Sequence, residues 1–402
     1  MSGGTAIADR LSQRARNVSD NRGLGGGREG MISFSFGYPD PAKLPLSGIA
    51  EATERAMRSH GQWPLQYGPT FGYEGLLDFL VEKLGRDQRI ACGRENLLLT
   101  AGGSQALGLL CELLLDPGDT VLSEAPTWLG AVRIFQNLGV RVESIPLDGE
   151  GTRVDLLEQK LAELRRQGVT PKFLYVIPNF QNPAGVTTTL ERRRRIVELA
   201  ERHGLPILED DAYFDLRFAG EHLPTLYSLD GGRHVLYFGT FSKILAAGMR
   251  LGWIVGAPDL IGRLGVLKVD GGTSPFAAHV AHEYCKDGRL EERIEELIAA
   301  YRHRRDLMLG ELDERMPEGV EWTAPQGGFF IWLTLPEGVD AVRMLPKARE
   351  RGVDYSPGTA FFYDGTGRQN IRLAFSYVSD DEAARGIRIL SELIREDGAA
   401  RG

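Results

Sequence analysis

The segment TFSKILAAGMRLGW, Thr240 to Trp253, sets one lysine among small, hydroxyl-bearing and apolar side chains. A lysine in such a low-dielectric setting has a lowered pKa, and its neutral amine becomes available as a nucleophile or base. Schiff-base chemistry demands such an amine. Arg250, further along the same segment, supplies a permanent cation suited to a phosphate. The competing reading of Lys243 is a surface lysine in a loop.

Three other stretches carry groups of the same kind. TAGGSQALGLL runs from a strand through two glycines into a helix, so free N–H groups and the helix dipole around Gly103, at Ser104 and Gln105, suit a phosphate. It lacks the G-K-[ST] ending of a triphosphate loop, and a serine-capped strand-to-helix turn is the plainer alternative. LEDDAYF places Asp210 and Asp211 at the end of an apolar strand. Adjacent strand residues point to opposite faces, so one of the two enters a given site, and a buried carboxylate there needs a cationic partner. PNFQNPAG offers Asn182 as an amide held in a proline-fixed turn.

These groups need strand ends to bring them together. From about residue 47 the chain alternates short apolar runs, NLLLTAGG, TVLSEA, KFLYVIPN, LPILEDDAY, HVLYFGTFSK and RLGWIVG, with helix-length segments such as SQALGLLCELLL and TLERRRRIVELAERHG. Apolar strands separated by helices imply an α/β architecture, a mostly parallel sheet covered on both faces. In such a sheet, ligands bind beyond the carboxyl ends of the strands. Near residue 285 the texture changes to one long amphipathic helix with Ile294, Leu297, Ile298, Tyr301, Leu307 and Leu309 among its apolar positions. GGFFIWLTL, GVDYSPG and NIRLAFS follow as short strands before a last helix, DDEAARGIRILSELIRE. The expected division is an N-terminal arm and closing segment (1–46), a large domain (47–285) and a smaller α+β domain (286–402).

Composition narrows the function classes. The net charge of −8 argues against a polyanion as the main partner. The run Arg192 to Arg195 precedes apolar residues at helical spacing and reads as a solvated helix face. Cys92, Cys111 and Cys285 are far apart, without a C-x-x-C pair, so neither a disulfide framework nor a zinc site is indicated. His279 and His282 form a lone i, i+3 pair, and no metal is expected. Residues 1 to 30 hold seven glycines and read as a mobile arm. Within them GGGREG formally matches a nucleotide fingerprint, but no strand precedes it. Without a membrane-length apolar run or a signal-peptide core, the expected location is the cytoplasm.

Taken as a set, the phosphate cradle, the strand-end Asp with Tyr213 three residues on, the fixed Asn, the T-F-S-K segment with its arginine and a late IRLAFS resemble the fold type I aminotransferases that use pyridoxal 5′-phosphate. The subgroup of 2-aminoadipate and kynurenine aminotransferases is the nearest in pattern, over about residues 31 to 395. The resemblance implies a large domain with a mostly parallel seven-stranded sheet. It implies that Lys243 attaches the cofactor and shuttles a proton between substrate Cα and cofactor C4′. Asp210 would pair with the pyridinium nitrogen. Asn182 and Tyr213 would bond the ring's phenolate oxygen, while Gly103, Ser104, Gln105, Thr240, Ser242 and Arg250 would hold the phosphate. Trp128 would stack on the ring, Arg372 would grip the α-carboxylate, and Gly37 would lie in a segment closing over the substrate. Tyr67 would reach the phosphate of a neighbouring subunit, which implies a homodimer with shared sites.

Three departures from the subgroup bear on the substrate: Trp128 stands where tyrosine is usual, Gly271 and Gly272 where bulkier residues are usual, and the arm is glycine-rich. The expected reaction moves an amino group from an α-amino acid to a 2-oxo acid by a ping-pong mechanism. β- or γ-elimination or replacement, cyclisation and oxidative deamination are alternative fates for the same carbanion. A regulator built on such a domain would need a winged-helix domain ahead of MISFSFGYPD, and the about 30 residues there are too few for one.

Overall fold

The computed structural model describes residues 7–16 and 30–399. The rest of the expected arm lies outside the described residues, as does all of the GGGREG match except Gly30. Two short helical turns, Ala8–Arg10 and Gln13–Arg16, precede the main body, and the second lies against helix Leu129–Leu138. Strand β1 (Ile32–Ser33) then begins the folded chain.

The central sheet holds β2 (Leu97–Thr100), β3 (Thr120–Ala125), β4 (Arg141–Asp148), β5 (Gly151–Thr152), β6 (Leu174–Val176), β7 (Ile207–Asp210), β8 (Val235–Thr240) and β9 (Gly252–Val255). Their order is β2-β9-β8-β7-β6-β3-β4-β5. The sheet therefore has eight strands rather than the expected seven, because the two-residue β5 folds back antiparallel on the end of β4. β3, β4, β6, β7 and β8 are parallel, whereas β9 runs antiparallel to both β8 and β2. The chain between β8 and β9 has only Phe241 to Leu251, too little for the crossover that a parallel neighbour needs, so β9 returns in the opposite sense.

Both faces of the sheet are covered, and the alternation of side chains shows it. Leu97, Leu99, Val235 and Tyr237 join one apolar cluster with helices Val154–Arg166 and Leu190–His203, while Leu98, Leu236 and Phe238 join the other with helix Gly103–Leu114. Each such side chain contributes about 1.5–3 kcal/mol by leaving water. The α/β class expected from the apolar runs is the one observed.

Helix Leu190–His203 departs from the expected solvated arginine face. Arg192 and Arg195 do point outward to Asp148 and Glu158, but Arg193 is fully buried. Its guanidinium donates to Thr188 O, Pro224 O and Pro178 O at 2.9 Å each and to Asn179 Oδ1 at 2.7 Å. Burial lowers its pKa, with Glu209 and Asp211 opposing. Pro178 and Asn179 lie on the loop leaving β6, so Arg193 fixes the stretch that leads to Asn182.

Helix Arg289–Arg315 leads out to a second sheet and packs on helix Asp380–Ala399. Leu297 and Tyr301 are buried, and Ile294, Ile298, Leu307 and Leu309 pack against the core, as their spacing predicts. The second sheet, entirely antiparallel, has the order β10-β11-β14-β13, with β10 (Glu321–Trp322), β11 (Phe330–Thr334), β13 (Ser356–Pro357) and β14 (Asn370–Ala374). β12 (Val353–Asp354) pairs in parallel with β1. Residues 31–40 are thereby tied down: Phe34 is fully buried, Ser376 Oγ donates to Tyr38 O at 2.8 Å, and Arg304 pairs with Asp40 at 2.7 Å. No helix among the described residues is long and apolar enough to cross a membrane.

Candidate active site

A cavity of about 940 Å³ opens beyond the carboxyl ends of β7 and β8, beside the N-terminus of helix Gly103–Leu114. Lys243, Asp210, Tyr213, Asn182, Arg372 and Trp128 all line it. So do Gly37, Gly103, Ser104, Thr240, Ser242 and Arg250. Two of the expected site residues do not. The Gln105 side chain turns back to accept from Ala101 N–H at 2.6 Å, and Tyr67 is exposed at a separate cavity of about 310 Å³ that it shares with Trp63 and His279.

Lys243 sits on a π-helical turn, Ser242–Ala246, at the end of β8. Its Nζ donates to Gly37 O at 2.9 Å and stands 5.7 and 5.5 Å from the ring centroids of Tyr213 and Phe329. Burial is the main cause that lowers its pKa to about 8, reinforced by Arg372 and Arg250 and opposed by Asp210. A substantial share of the amine is therefore neutral near pH 8.

Asp210 ends β7 and receives the Tyr175 hydroxyl on Oδ2 at 2.7 Å. Burial raises its pKa to about 7. Asp211 points the other way, accepting from Asn179 at 2.9 Å, so the pair divides between two faces as strand geometry requires. Burial drives the Tyr213 phenol up, so it stays protonated.

At the phosphate-like end, Thr240 Oγ1 lies 2.9 Å from both Ser242 Oγ and Leu251 O and accepts from Ser242 N–H at 3.1 Å. Arg250 has a left-handed backbone (φ 51°) that turns its guanidinium to Ala101 O at 3.0 Å and Ala247 O at 3.2 Å, all hydrogen bonds that leave its charge uncompensated.

Arg372 projects from β14. Its guanidinium carbon lies 4.2 Å from the Phe330 ring centroid and 4.8 Å from that of Phe361, a sandwich that fixes its plane. It donates to Asn182 Oδ1 at 3.0 Å and Ser35 O at 2.6 Å, while its buried Nε has no partner among the described residues. Burial lowers its pKa to about 10, which leaves it cationic at neutral pH.

Trp128 caps helix Leu129–Leu138, and its indole folds over Gly130 so closely that a Cβ there would meet ring atoms at 2.2–2.6 Å. The paired glycines have a local cause. Gly271 and Gly272 adopt φ of +71° and +95°, and a Cβ on Gly272 would lie 2.7 Å from Gly68 O.

The sequence of this chain matches the family model described as aminotransferase class I and II over residues 29–390. The chain belongs to this family. It is 42% identical to aromatic-amino-acid aminotransferase 1 of Thermococcus litoralis, over 91% of this chain and 88% of that protein. Its fold is similar to the crystal structure of a multiple substrate aminotransferase from Thermococcus profundus, with TM-score 0.93, 39% identity and coverage of 98% and 100% of the two chains. It is also similar to the α-aminoadipate aminotransferase of Thermus thermophilus, solved in complex with N-(5′-phosphopyridoxyl)-L-leucine, with TM-score 0.90, 35% identity and coverage of 98% and 100%. This aminotransferase is thus a pyridoxal-phosphate-dependent transferase of fold type I.

The motifs did not point to Phe330 and Arg133, which line the cavity, or to Tyr175 and Phe361, which contact its Asp210 and Arg372. Tyr175 lies inside the apolar run KFLYVIPN, Phe330 inside the expected strand GGFFIWLTL, and Phe361 in a stretch that carries no motif. Arg133 stands in the helical stretch after Trp128 with no motif around it.

Proposed function

We propose that this aminotransferase transfers the amino group of an α-amino acid to a 2-oxo acid by a ping-pong mechanism, with Lys243 as the attachment point of pyridoxal 5′-phosphate. The observation that carries the reading is the Lys243 amine, lowered to about 8, in one cavity with a strand-end carboxylate and a clamped arginine. The donor set fits the cofactor: the helix N-terminus at Gly103 and Ser104 with Thr240, Ser242 and Arg250 suits a phosphate, and Asp210 suits a ring N–H. The Arg372 guanidinium, which lines the cavity, suits a substrate carboxylate.

When bound, pyridoxal 5′-phosphate supplies an aldehyde that condenses with amines and a ring that takes up the electron pair released at the substrate Cα. Lys243 Nζ would be the base that moves the proton between the substrate Cα and cofactor C4′. Asp210 would keep a proton on the ring nitrogen, Asn182 and Tyr213 would hold the ring's oxygen, and Trp128 would cover its face. Arg372 holds the α-carboxylate so that the Cα–H bond faces Lys243, and the segment around Gly37 excludes water.

A homodimer with shared sites accords with the exposed apolar side chains Trp63, Leu65, Tyr67, Val266 and Val269; the Gly68 N–H to Gly271 O bond (3.3 Å) joins the segments that carry Tyr67 and Val269. In it, Tyr67 would reach the partner's phosphate. The division at 46 and 285 and a cytoplasmic location belong to the same proposal.

The test is to add single amino acids to the purified holoenzyme, follow the cofactor absorbance and identify the product by mass. Conversion to the pyridoxamine form with the matching 2-oxo acid supports transamination. Ammonia release without that form would sink it in favour of elimination or oxidation.

A side-chain prediction follows from the cavity's charges. Arg349 is paired with Asp354 at 2.7 Å, whereas Arg133 lines the same cavity with no acidic partner among the described residues. Arg133→Leu is expected to raise KM for glutamate about tenfold and leave that for leucine within about twofold. Steady-state kinetics on both substrates decide, and equal changes would remove Arg133 from side-chain recognition.

A further inference from the structure

We propose that Tyr175 is the positioning residue of Asp210: its hydroxyl fixes one carboxylate oxygen so that the other faces the cavity. This rests on the cofactor reading above, which puts the ring nitrogen opposite that second oxygen. Tyr175 lies on β6, next to β7, and is fully buried. Its ring is held edge-on by Phe135 at 5.8 Å and 86°, and Phe135 is buried in turn against Phe173 and Tyr363. The phenol therefore arrives at Asp210 Oδ2, 2.7 Å away, from a packed interior rather than from a mobile loop. Asp210 is the one hydrogen-bond partner of that hydroxyl among the described residues.

The charges around Asp210 make this contact consequential. Asp211 beside it disfavours its ionised form, and Lys243 across the cavity favours it. Burial is the largest influence and acts against ionisation, and the Tyr175 hydrogen bond is the largest that opposes burial. Tyr175 itself is driven well above the usual phenol range, first by burial and then by Asp210, so it remains a donor at any working pH. An ionised, oriented Asp210 can hold the proton on a ring nitrogen, whereas a protonated one cannot. Tyr175 thus acts through Asp210 and touches neither cofactor nor substrate.

Phenylalanine at this position keeps the ring and its contact with Phe135, so Tyr175→Phe isolates the hydroxyl. The experiment compares wild type and Tyr175→Phe, each loaded with pyridoxal 5′-phosphate or with its 1-deaza analogue, which has carbon in place of the ring nitrogen. Borohydride trapping at Lys243 in the wild type first checks the cofactor reading, and an absent adduct there would refute that reading by itself. Given the adduct, Tyr175→Phe is expected to weaken pyridoxal 5′-phosphate binding about tenfold and to leave the deaza analogue's affinity within about twofold. The pH midpoint of the bound cofactor's absorbance should also move, and kcat should fall while KM for the amino acid holds. An equal loss with both cofactors means a packing role and overturns the proposal, and so does no loss with either.

Discussion

Lys243→Ala is expected to give a folded protein that no longer forms a borohydride-trapped adduct with pyridoxal 5′-phosphate, with kcat lower by about 10⁴-fold or more. Both the attachment amine and the group that moves the Cα proton are lost together, which is why the effect exceeds that of any other single change in the cavity. The substitution should not destabilise the cofactor-free protein. Lys243 has a folded pKa of about 8, below the usual lysine value, so the unfolded chain binds more protons between those two pH values. Its burial therefore costs stability fully at pH values below about 8, and the cost fades as pH rises toward the ordinary lysine range. Removing it should raise the melting temperature of the cofactor-free protein at pH 7 or leave it unchanged. The same pKa predicts that wild-type protein captures the cofactor faster as pH rises through about 8, as the neutral amine becomes abundant. A trapped adduct persisting in Lys243→Ala at another lysine would refute the assignment.

Asp210→Asn is expected to lower kcat about 10³-fold while stabilising the cofactor-free protein above pH 7. Burial raises the Asp210 pKa to about 7, so the folded state binds more protons than the unfolded one between the ordinary aspartate value and that point. Stability contributed by this group is therefore lost as pH rises across that window, the reverse of an ion-paired aspartate. Asparagine never ionises, and its gain at pH 8 should be about 1–3 kcal/mol. Differential scanning calorimetry of the cofactor-free pair at pH 5 and pH 8 measures it: a gap at pH 5, partway through that window, and a larger one at pH 8 are expected. The carboxylate that the cofactor needs is thus one that the empty fold holds at a cost.

Much of this site was legible because its groups stand at strand ends, where apolar runs stop and polar residues begin. Lys243, Asp210 and Asn182 are each the polar punctuation of such a run, and the cavity gathers all three. The burial of Arg193 was not legible, because four consecutive arginines on a helix have the pattern of a solvated face whichever of them turns inward. Its acceptors are the Asn179 side chain and carbonyls of Pro178, Thr188 and Pro224, supplied by loops that no local spacing announces. The reversal of β9 left no trace in its composition either, since a strand buried on both faces is apolar in either direction. The Gln105 side chain turns inward for a local reason: its amide oxygen accepts from its own turn's Ala101 N–H rather than reaching outward. The Phe330 and Phe361 rings around Arg372 belong to segments far apart in the chain, and only the fold brings them to one cation.

The indole of Trp128 lying over Gly130 has an evolutionary consequence. Positions 128 and 130 are epistatic: an alanine at 130 would put its methyl where the ring now lies, so its cost depends on whether position 128 holds an indole that must move.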